Sequence, residues 1–184
     1  MIKTPPSFSF IEGISSDYHE WFDILDQEVA MIKSVVEIGT FNGGSTRFLE
    51  QAFTAATIYT FERPDHFEGQ YIDLKEIRSG LSDRVVLIPQ KSPPESFPEQ
   101  VDICVFDIGH GADNLRSNLY FWLKQLSPQG TLIMLLPWST PKKRQVKDSI
   151  LQELRDSQVS LATKVNWVLI RAEDLPRAFF EKTE

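Results

Sequence analysis

A glycine-containing turn follows the first buried, strand-like run of the chain. The residues from Glu37 to Ser45 read Glu-Ile-Gly-Thr-Phe-Asn-Gly-Gly-Ser, and a helical pattern begins directly after them. Glycine permits a positive φ and lets a bound molecule approach the main chain, while free N–H groups at a helix start attract negative charge. The turn therefore predicts a ligand-binding connection, and a tight strand-to-helix turn without a ligand is the alternative interpretation.

An acidic residue follows the second buried run. Glu62 lies 23 residues after Gly39. This is close to the spacing of about 20 residues at which an acid accepts hydrogen bonds from the ribose hydroxyls of a nucleotide cofactor. A solvated carboxylate paired with Arg63 is the alternative. Because the glycine turn and the acid occur together, we favour the ribose-binding role for Glu62.

A third set of candidate residues follows the fourth buried run. Asp107 comes directly after this run, and His110 lies between two glycines. An imidazole can take a proton from a hydroxyl near neutral pH, so His110 is a candidate general base. The alternative for His110 is a loop histidine with a structural hydrogen bond. Asp107 could bind a metal, contact a cofactor or orient His110, and capping of the next helix is its structural alternative.

The apolar pattern predicts the elements that position these residues. Continuous apolar runs are typical of strands buried on both faces of a parallel sheet. Segments with helical spacing separate them and predict an α/β fold: a Rossmann-like, doubly wound, mostly parallel seven-stranded sheet with ligands beyond the carboxyl ends of its strands. The strand-like runs are 34–38, 57–61, 84–88, 101–106 and 131–136, and the helical segments between them are 46–53, 68–81 and 114–126.

Both ends of the chain extend this plan. Apolar residues from Tyr18 to Ile32 recur at helical spacing and predict an N-terminal helix. Thr140-Pro141 predicts the start of a helix that runs to about residue 156. The runs 159–162 and 165–170 predict a terminal hairpin, which makes the last strand antiparallel. We expect one domain over residues 1–184, with an N-terminal segment at 1–33, a Rossmann-like core at 34–172 and a tail at 173–184.

Composition limits the class of partner. The 184 residues carry 19 Lys plus Arg against 26 Asp plus Glu, and the resulting net charge of -7 disfavours polyanions and acidic membranes. Cys104 is the only cysteine, so neither an intrachain disulfide nor a multi-thiolate metal site is possible. The longest aliphatic run, 132–136, is too short to span a bilayer, and residues 1–10 lack the apolar segment of a signal peptide. We predict a cytoplasmic protein without nucleic-acid or membrane partners, and a homo-oligomer is possible.

Together, these motifs resemble a known family. Glu37-x-Gly39-x-x-x-Gly43-Gly44-Ser45, then Glu62, then Phe-Asp-Ile-Gly-His at 106–110 and Leu-x-x-Trp-Leu-x-x-Leu-x-Pro-x-Gly at 119–130 are similar to class I S-adenosylmethionine-dependent methyltransferases. The closest likeness is to the small single-domain branch that often methylates oxygen on small molecules and sugars. The resemblance covers residues 34–136 well. It implies S-adenosylmethionine as the cofactor and a small-molecule acceptor.

The resemblance also implies roles for individual residues. The methionyl part of the cofactor would lie at Glu37 and the glycine turn, the ribose at Glu62, and the methyl group near Asp107 and His110 as the catalytic pair. After the third strand the family commonly has an acid that meets the adenine amino group. This chain has Gln90-Lys91-Ser92 there, and Gln90 or Ser92 could take its place. No metal is predicted, because Leu135-Leu136-Pro137-Trp138 replaces the acid that metal-using members place there. The full predicted cofactor-binding set is Glu37, Gly39, Thr40, Phe41, Gly43, Ser45, Glu62, Ser92 and Asp107.

Two other functions remain open at this point. The missing acids at Lys91 and Leu136 are compatible with a cofactor-binding or scaffold protein that has lost transfer activity. An NADP-dependent oxidoreductase is the second, with Arg63 near a ribose phosphate. Its fingerprint is G-x-G-x-x-G, whereas this turn reads G-x-x-x-G.

Overall fold

The strands and helices are seen in a computed structural model that describes residues 20, 22–25, 28–40, 42–62, 73–107, 115–135, 141–163 and 167–176. Seven strands of these residues form one sheet. They are β1 (Ser34–Ile38), β2 (Thr57–Phe61), β3 (Val85–Ile88), β4 (Val101–Asp107), β5 (Leu126–Leu135), β6 (Ala162–Thr163) and β7 (Trp167–Arg171). Helices α1 (Gly44–Ala52), α2 (Leu74–Ser79), α3 (Leu115–Gln125) and α4 (Pro141–Asp156) lie between them.

The sheet has the order β3-β2-β1-β4-β5-β7-β6. Strands β1 to β5 pair in parallel, whereas β7 is antiparallel to both β5 and β6. The predicted doubly wound, mostly parallel seven-stranded sheet with an antiparallel last strand is therefore confirmed. The chain first builds outward from β1 through β2 to β3 and then returns to the other side of β1. This reversal creates a topological switch point between β1 and β4.

Apolar clusters cover both faces of the sheet. Successive strand residues point to opposite faces, so Val36 and Cys104 belong to one buried cluster and their neighbours Val35 and Ile103 to the other. Trp122 of α3 packs in the first cluster. Burial on both faces explains why the strand sequences are continuously apolar rather than alternating.

Two predicted helices have other limits than their apolar patterns suggested. In the segment predicted at 68–81, a helix over Leu74–Ser79 begins after Asp73, which is extended and whose carboxylate caps the helix by accepting from Lys75 N and Glu76 N. Residues 68–72 lie outside the described residues. The N-terminal helix was predicted to reach Ile32, and this is wrong. Residues 29–31 form a 3₁₀ turn and Ile32 is extended, which leads the chain into β1.

Strand β5 begins five residues before the predicted start at 131, and a bulge accompanies its pairing with β4 between Val101 and Ile103. Gly130 lies in this irregular part. A Cβ atom there would stand 2.6 Å from the carbonyl oxygen of Val101 and 2.9 Å from the amide nitrogen of Ser127. The close approach of the two strands at the bulge therefore requires glycine.

Gln158 terminates α4 in a conformation that suits glycine better. It has a φ of 63°, and Val159 N donates to Leu154 O at 3.0 Å across it. A left-handed conformation costs an L residue roughly 1 kcal/mol. We expect Gln158→Gly to raise the free energy of unfolding by about 0.5 to 1 kcal/mol in urea denaturation. Ser157→Gly, one residue earlier, is the control and is expected to lower it; an equal gain from both variants would contradict the argument.

Candidate active site

Three adjacent strands end at the same level, so the predicted ligand-binding residues lie together at the carboxyl ends of these strands. Ile38 of β1 is level with Phe61 of β2 and with Phe106 of β4. Gly39, Glu62 and Asp107 each come one residue later. Since neighbouring strands lie about 4.8 Å apart, the main chains of Glu62 and Asp107 flank that of Gly39 within roughly 10 Å of each other. This edge is the carboxyl end of the parallel strands, at the switch point.

The glycine turn adopts the backbone that its sequence predicts. Gly39 has a φ of 104° and Gly43 a φ of 78°, both in the region that favours glycine. The turn is closed by Gly43 N, which donates to Thr40 O at 2.8 Å, and by Gly44 N, which donates to Asn42 Oδ1 at 3.0 Å. Ser45 is the second residue of α1 and is half-buried. Phe41 lies outside the described residues.

Helix α2 packs against the turn, a contact that the sequence did not reveal. A Cβ atom on Gly43 would lie 3.0 Å from the Cγ2 atom of Ile77. Ile77 is the buried residue of α2. Gly43 is thus constrained twice, by its left-handed φ and by the space that Ile77 leaves.

Glu37 is buried below the turn. Its side chain is 0% exposed, and its Oε2 atom accepts hydrogen bonds from the hydroxyls of Thr46 and Thr60, each at 2.6 Å. Thr46 belongs to α1, and Thr60 is the β2 residue paired with Glu37 in the parallel register. Neither threonine was predicted as a site residue. A contact between Glu37 and the methionyl part of a cofactor stays a prediction.

Glu62 lies at the end of β2 and is 3% exposed. This burial excludes a solvated carboxylate, whereas Arg63, its suggested partner, lies outside the described residues. Its amide N–H donates to Ile88 O at 3.1 Å, which continues the ladder between β2 and β3 by one residue. Burial of a carboxylate at a ligand-binding edge is costly unless the group is hydrogen-bonded, so this position favours a specific partner for the carboxylate over bulk water.

Ser92 makes contacts inside the protein. Its hydroxyl donates to Asn118 Oδ1 at 2.6 Å and accepts from Trp122 Nε1 at 2.9 Å, while Asn118 Nδ2 donates to the Ser92 carbonyl at 2.7 Å. A hydroxyl has one proton to donate, and Asn118 takes it. Any ligand contact with the Ser92 hydroxyl would therefore have to use its remaining lone pair. The predicted adenine contact of Ser92 is not tested by these bonds.

Aromatic rings hold the loop after β3 against α3. The ring centroids of Phe97 and Trp122 are 5.2 Å apart, and those of Phe61 and Trp122 are 5.4 Å apart. Tyr59 contacts Phe97 edge-on and donates its hydroxyl to Glu99 at 2.7 Å. Burial, together with the bond to Glu99 and its charge, raises the pKa of Tyr59 to about 12, so this hydroxyl stays protonated as a donor.

The predicted catalytic pair is described only in part. Asp107 is the last residue of β4 and pairs with Leu135, but its side chain and all of His110 lie outside the described residues. Within the described part of the chain, no group of three or more His, Cys, Asp or Glu residues could hold a metal ion. Cys104 is fully buried in β4, and this burial raises the pKa of its thiol and makes it a poor nucleophile.

A family model agrees with this geometry. Residues 36–134 match the model of a methyltransferase domain. The chain belongs to this methyltransferase-domain family. The match runs from β1 to the end of β5 and so includes the glycine turn, Glu62, Ser92 and Asp107. No curated protein matches the sequence.

Solved structures share the fold of this methyltransferase domain at low sequence identity. A provisionally named rRNA methylase from Clostridium thermocellum is 17% identical with a TM-score of 0.64, and the match covers 86% of this chain and 96% of that one. A provisionally named O-methyltransferase from Klebsiella pneumoniae is 16% identical with a TM-score of 0.64, covering 87% and 81%. A provisionally named methyltransferase from Streptococcus mutans, in complex with S-adenosylhomocysteine, is 16% identical with a TM-score of 0.63, covering 86% and 98%.

These similarities support the predicted family and fold, and they leave the acceptor open. One neighbour is named as an O-methyltransferase, and another as an rRNA methylase. Nucleic acid, which the net charge disfavoured, is therefore not excluded by the fold of the domain. Among the described residues, no helix has the length and apolar character needed to cross a bilayer.

Proposed function

We propose that this methyltransferase domain binds S-adenosylmethionine and transfers its methyl group to a small-molecule acceptor, at oxygen. One observation carries the proposal. At the carboxyl ends of β1 and β2, a turn with two left-handed glycines lies beside Glu62, whose carboxylate is buried. Because glycine has no side chain, a ligand can approach the main chain of the turn closely. A carboxylate offers two acceptor oxygens to a pair of vicinal hydroxyls.

The residues at this edge would divide the cofactor between them. Glu62 would accept hydrogen bonds from the ribose hydroxyls, and the turn from Gly39 to Gly43 would lie along the methionyl part. Ser45, at the start of α1, is suited to a carboxylate because N–H groups at a helix start attract negative charge. Once S-adenosylmethionine is bound, the chemistry supplied at this edge is an electrophilic methyl group on a sulfonium.

Asp107 and His110 would act on the acceptor. The end of β4 brings Asp107 to the strand edge next to Gly39, and His110 follows it by three residues. In this proposal the imidazole of His110 takes the proton from an acceptor hydroxyl, and Asp107 orients the imidazole or the cofactor. Positioning of the hydroxyl in line with the methyl group supplies much of the rate acceleration. The net charge of -7 favours a small acceptor over a polyanion, and a cytoplasmic location stays a prediction.

Calorimetric titration and thermal unfolding with S-adenosylhomocysteine test cofactor binding. At a hundredfold excess of ligand over its Kd, binding contributes about 2.7 kcal/mol to the folded state. For a chain of this length we expect a rise in Tm of roughly 5 to 10 °C. NADPH is the comparison ligand and is expected to give neither heat nor a shift in Tm. The reverse pattern would contradict the proposal and favour an oxidoreductase.

Turnover is measured separately from binding. The protein is incubated with S-adenosylmethionine and a panel of hydroxyl, amine and thiol acceptors, and formation of S-adenosylhomocysteine is followed. We expect product only with hydroxyl acceptors. Binding of the cofactor without turnover over the whole panel would instead favour a non-catalytic binding protein on the same fold.

A further inference from the structure

A line of buried side-chain hydrogen bonds runs beneath the glycine turn. The hydroxyls of Thr40 and Thr60 are 2.6 Å apart, and the Thr60 hydroxyl lies 2.6 Å from Glu37 Oε2. Thr46 contacts the same carboxylate oxygen at 2.6 Å. All four residues are at most 1% exposed. The line thus joins the turn, β2, β1 and α1 through a single carboxylate oxygen.

The direction of these hydrogen bonds follows from counting protons. Glu37 Oε2 is the acceptor from both Thr46 and Thr60. Each threonine hydroxyl has one proton to donate, so Thr60 has none left for Thr40. Thr40 must therefore donate to Thr60, and the protons point from the turn through Thr60 to Glu37. The carboxylate is the acceptor that fixes the orientation of both hydroxyls above it.

Thr40 transmits this orientation to the main chain of the turn. Its side chain is held by Thr60, and its carbonyl accepts from Gly43 N at 2.8 Å. One residue thus connects the buried network with the hydrogen bond that closes the turn. The two left-handed glycines lie on either side of it, at 39 and 43. A shift of Thr40 would move the main chain that lines the strand edge.

We propose that Glu37 is a positioning residue, which holds the glycine turn in its ligand-binding conformation through Thr60 and Thr40. The inference rests on the proposed cofactor site. Its support is that Glu37 has no exposed surface and that its Oε2 atom accepts hydrogen bonds from two neighbouring elements, α1 and β2.

One variant and two ligands test this line of hydrogen bonds. S-adenosylhomocysteine carries the amino-acid part, whereas 5′-methylthioadenosine lacks it. The variant Thr60→Val keeps the shape of the side chain, removes its hydroxyl and leaves the Glu37 carboxylate in place. Because the turn lies along the methionyl part in the proposed site, we expect Thr60→Val to weaken binding of S-adenosylhomocysteine by about tenfold and to leave the Kd of 5′-methylthioadenosine unchanged. Thr60→Ser restores the hydroxyl and is expected to restore the affinity for S-adenosylhomocysteine.

The matched control is Thr131→Val. Thr131 is a buried threonine of β5, and it lies outside the network. We expect this variant to bind both ligands with unchanged Kd. We expect the double variant Glu37→Gln/Thr60→Val to bind S-adenosylhomocysteine about as tightly as the single variant with the larger loss, because both changes act on one line of hydrogen bonds. Should Thr60→Val not fold, Thr40→Val removes the hydroxyl that donates to Thr60 and carries the same expectation.

Each outcome separates the inference from the proposed function. If the unmodified protein binds neither ligand, the proposed cofactor site is overturned, and the role of Glu37 with it. If it binds S-adenosylhomocysteine, and Thr60→Val leaves that Kd unchanged while Glu37→Gln raises it, Glu37 acts without Thr60 and the inference alone is overturned. Equal losses in Thr60→Val and Thr131→Val would also overturn it, since they would reflect general destabilisation.

Discussion

Replacement of Glu62 by alanine is expected to weaken the binding of S-adenosylhomocysteine by about a hundredfold. The carboxylate offers two charged acceptors, and a hydrogen bond to a charged group contributes about 1.5 to 3 kcal/mol. Glu62→Gln keeps one carbonyl oxygen at the same place and is expected to lose about tenfold. Calorimetric titration gives the Kd of each variant.

Two controls make the Glu62 prediction specific to the ribose. Glu76→Gln changes an exposed carboxylate of α2 and is expected to leave the Kd unchanged. An S-adenosylhomocysteine analogue without the 2′ and 3′ hydroxyls is expected to bind the native protein and Glu62→Gln equally, because the partner of the carboxylate is gone. If Glu62→Gln bound this analogue more weakly than the native protein by the same factor as S-adenosylhomocysteine, Glu62 would act on something other than the ribose hydroxyls.

Gly130→Ala is expected to lower the free energy of unfolding by about 2 to 3 kcal/mol. The added Cβ atom would meet only backbone atoms, with the Val101 carbonyl oxygen at 2.6 Å and the Ser127 amide nitrogen at 2.9 Å. Backbone atoms of two paired strands cannot move apart without loss of the bulge between β4 and β5, and overpacking of this kind costs about 1 to 3 kcal/mol. Urea denaturation followed by circular dichroism measures the change.

Gly80→Ala is the matched control for this prediction. A Cβ atom at Gly80 would lie 2.8 Å from the Nη2 atom of Arg47, which is the far end of a flexible side chain. We expect Arg47 to move aside and the free energy of unfolding to change by less than about 0.5 kcal/mol. Similar losses in the two variants would mean that the close approach of Gly130 to β4 is not what makes glycine necessary there.

The sheet could be predicted from the sequence because its signal is local. Each of β1, β2, β3 and β4 is a short apolar run between polar or glycine-containing segments. Strand β1 is buried along its whole length, so its sequence shows no alternation of apolar and polar residues. The start of helix α2 was not predicted, because Asp73, which caps that start, lies inside a stretch with helical spacing. The apolar period alone cannot tell a continuing helix from one that begins at a cap.

The candidate site was predictable only where spacing along the chain carries the information. Gly39 and Glu62 were found because a glycine turn and an acid about 20 residues later form a recognisable pair. The partners of Glu37 depend instead on the parallel register of β1 with β2, which brings Thr60 beside it from 23 residues away. The contact between Ser92 and Asn118 spans 26 residues and requires the position of α3. Neither follows from a motif.

The loop after β3 is already fastened to α3 by Ser92, Asn118 and the ring of Trp122. A ligand that binds at the carboxyl ends of the strands next to this loop meets a preformed surface. The loop therefore loses little conformational entropy when the ligand binds. The position of this surface depends on α3, whose residues need not contact the ligand. Substitutions in α3 can therefore change which ligands the cleft binds, without altering any group that contacts the bound molecule.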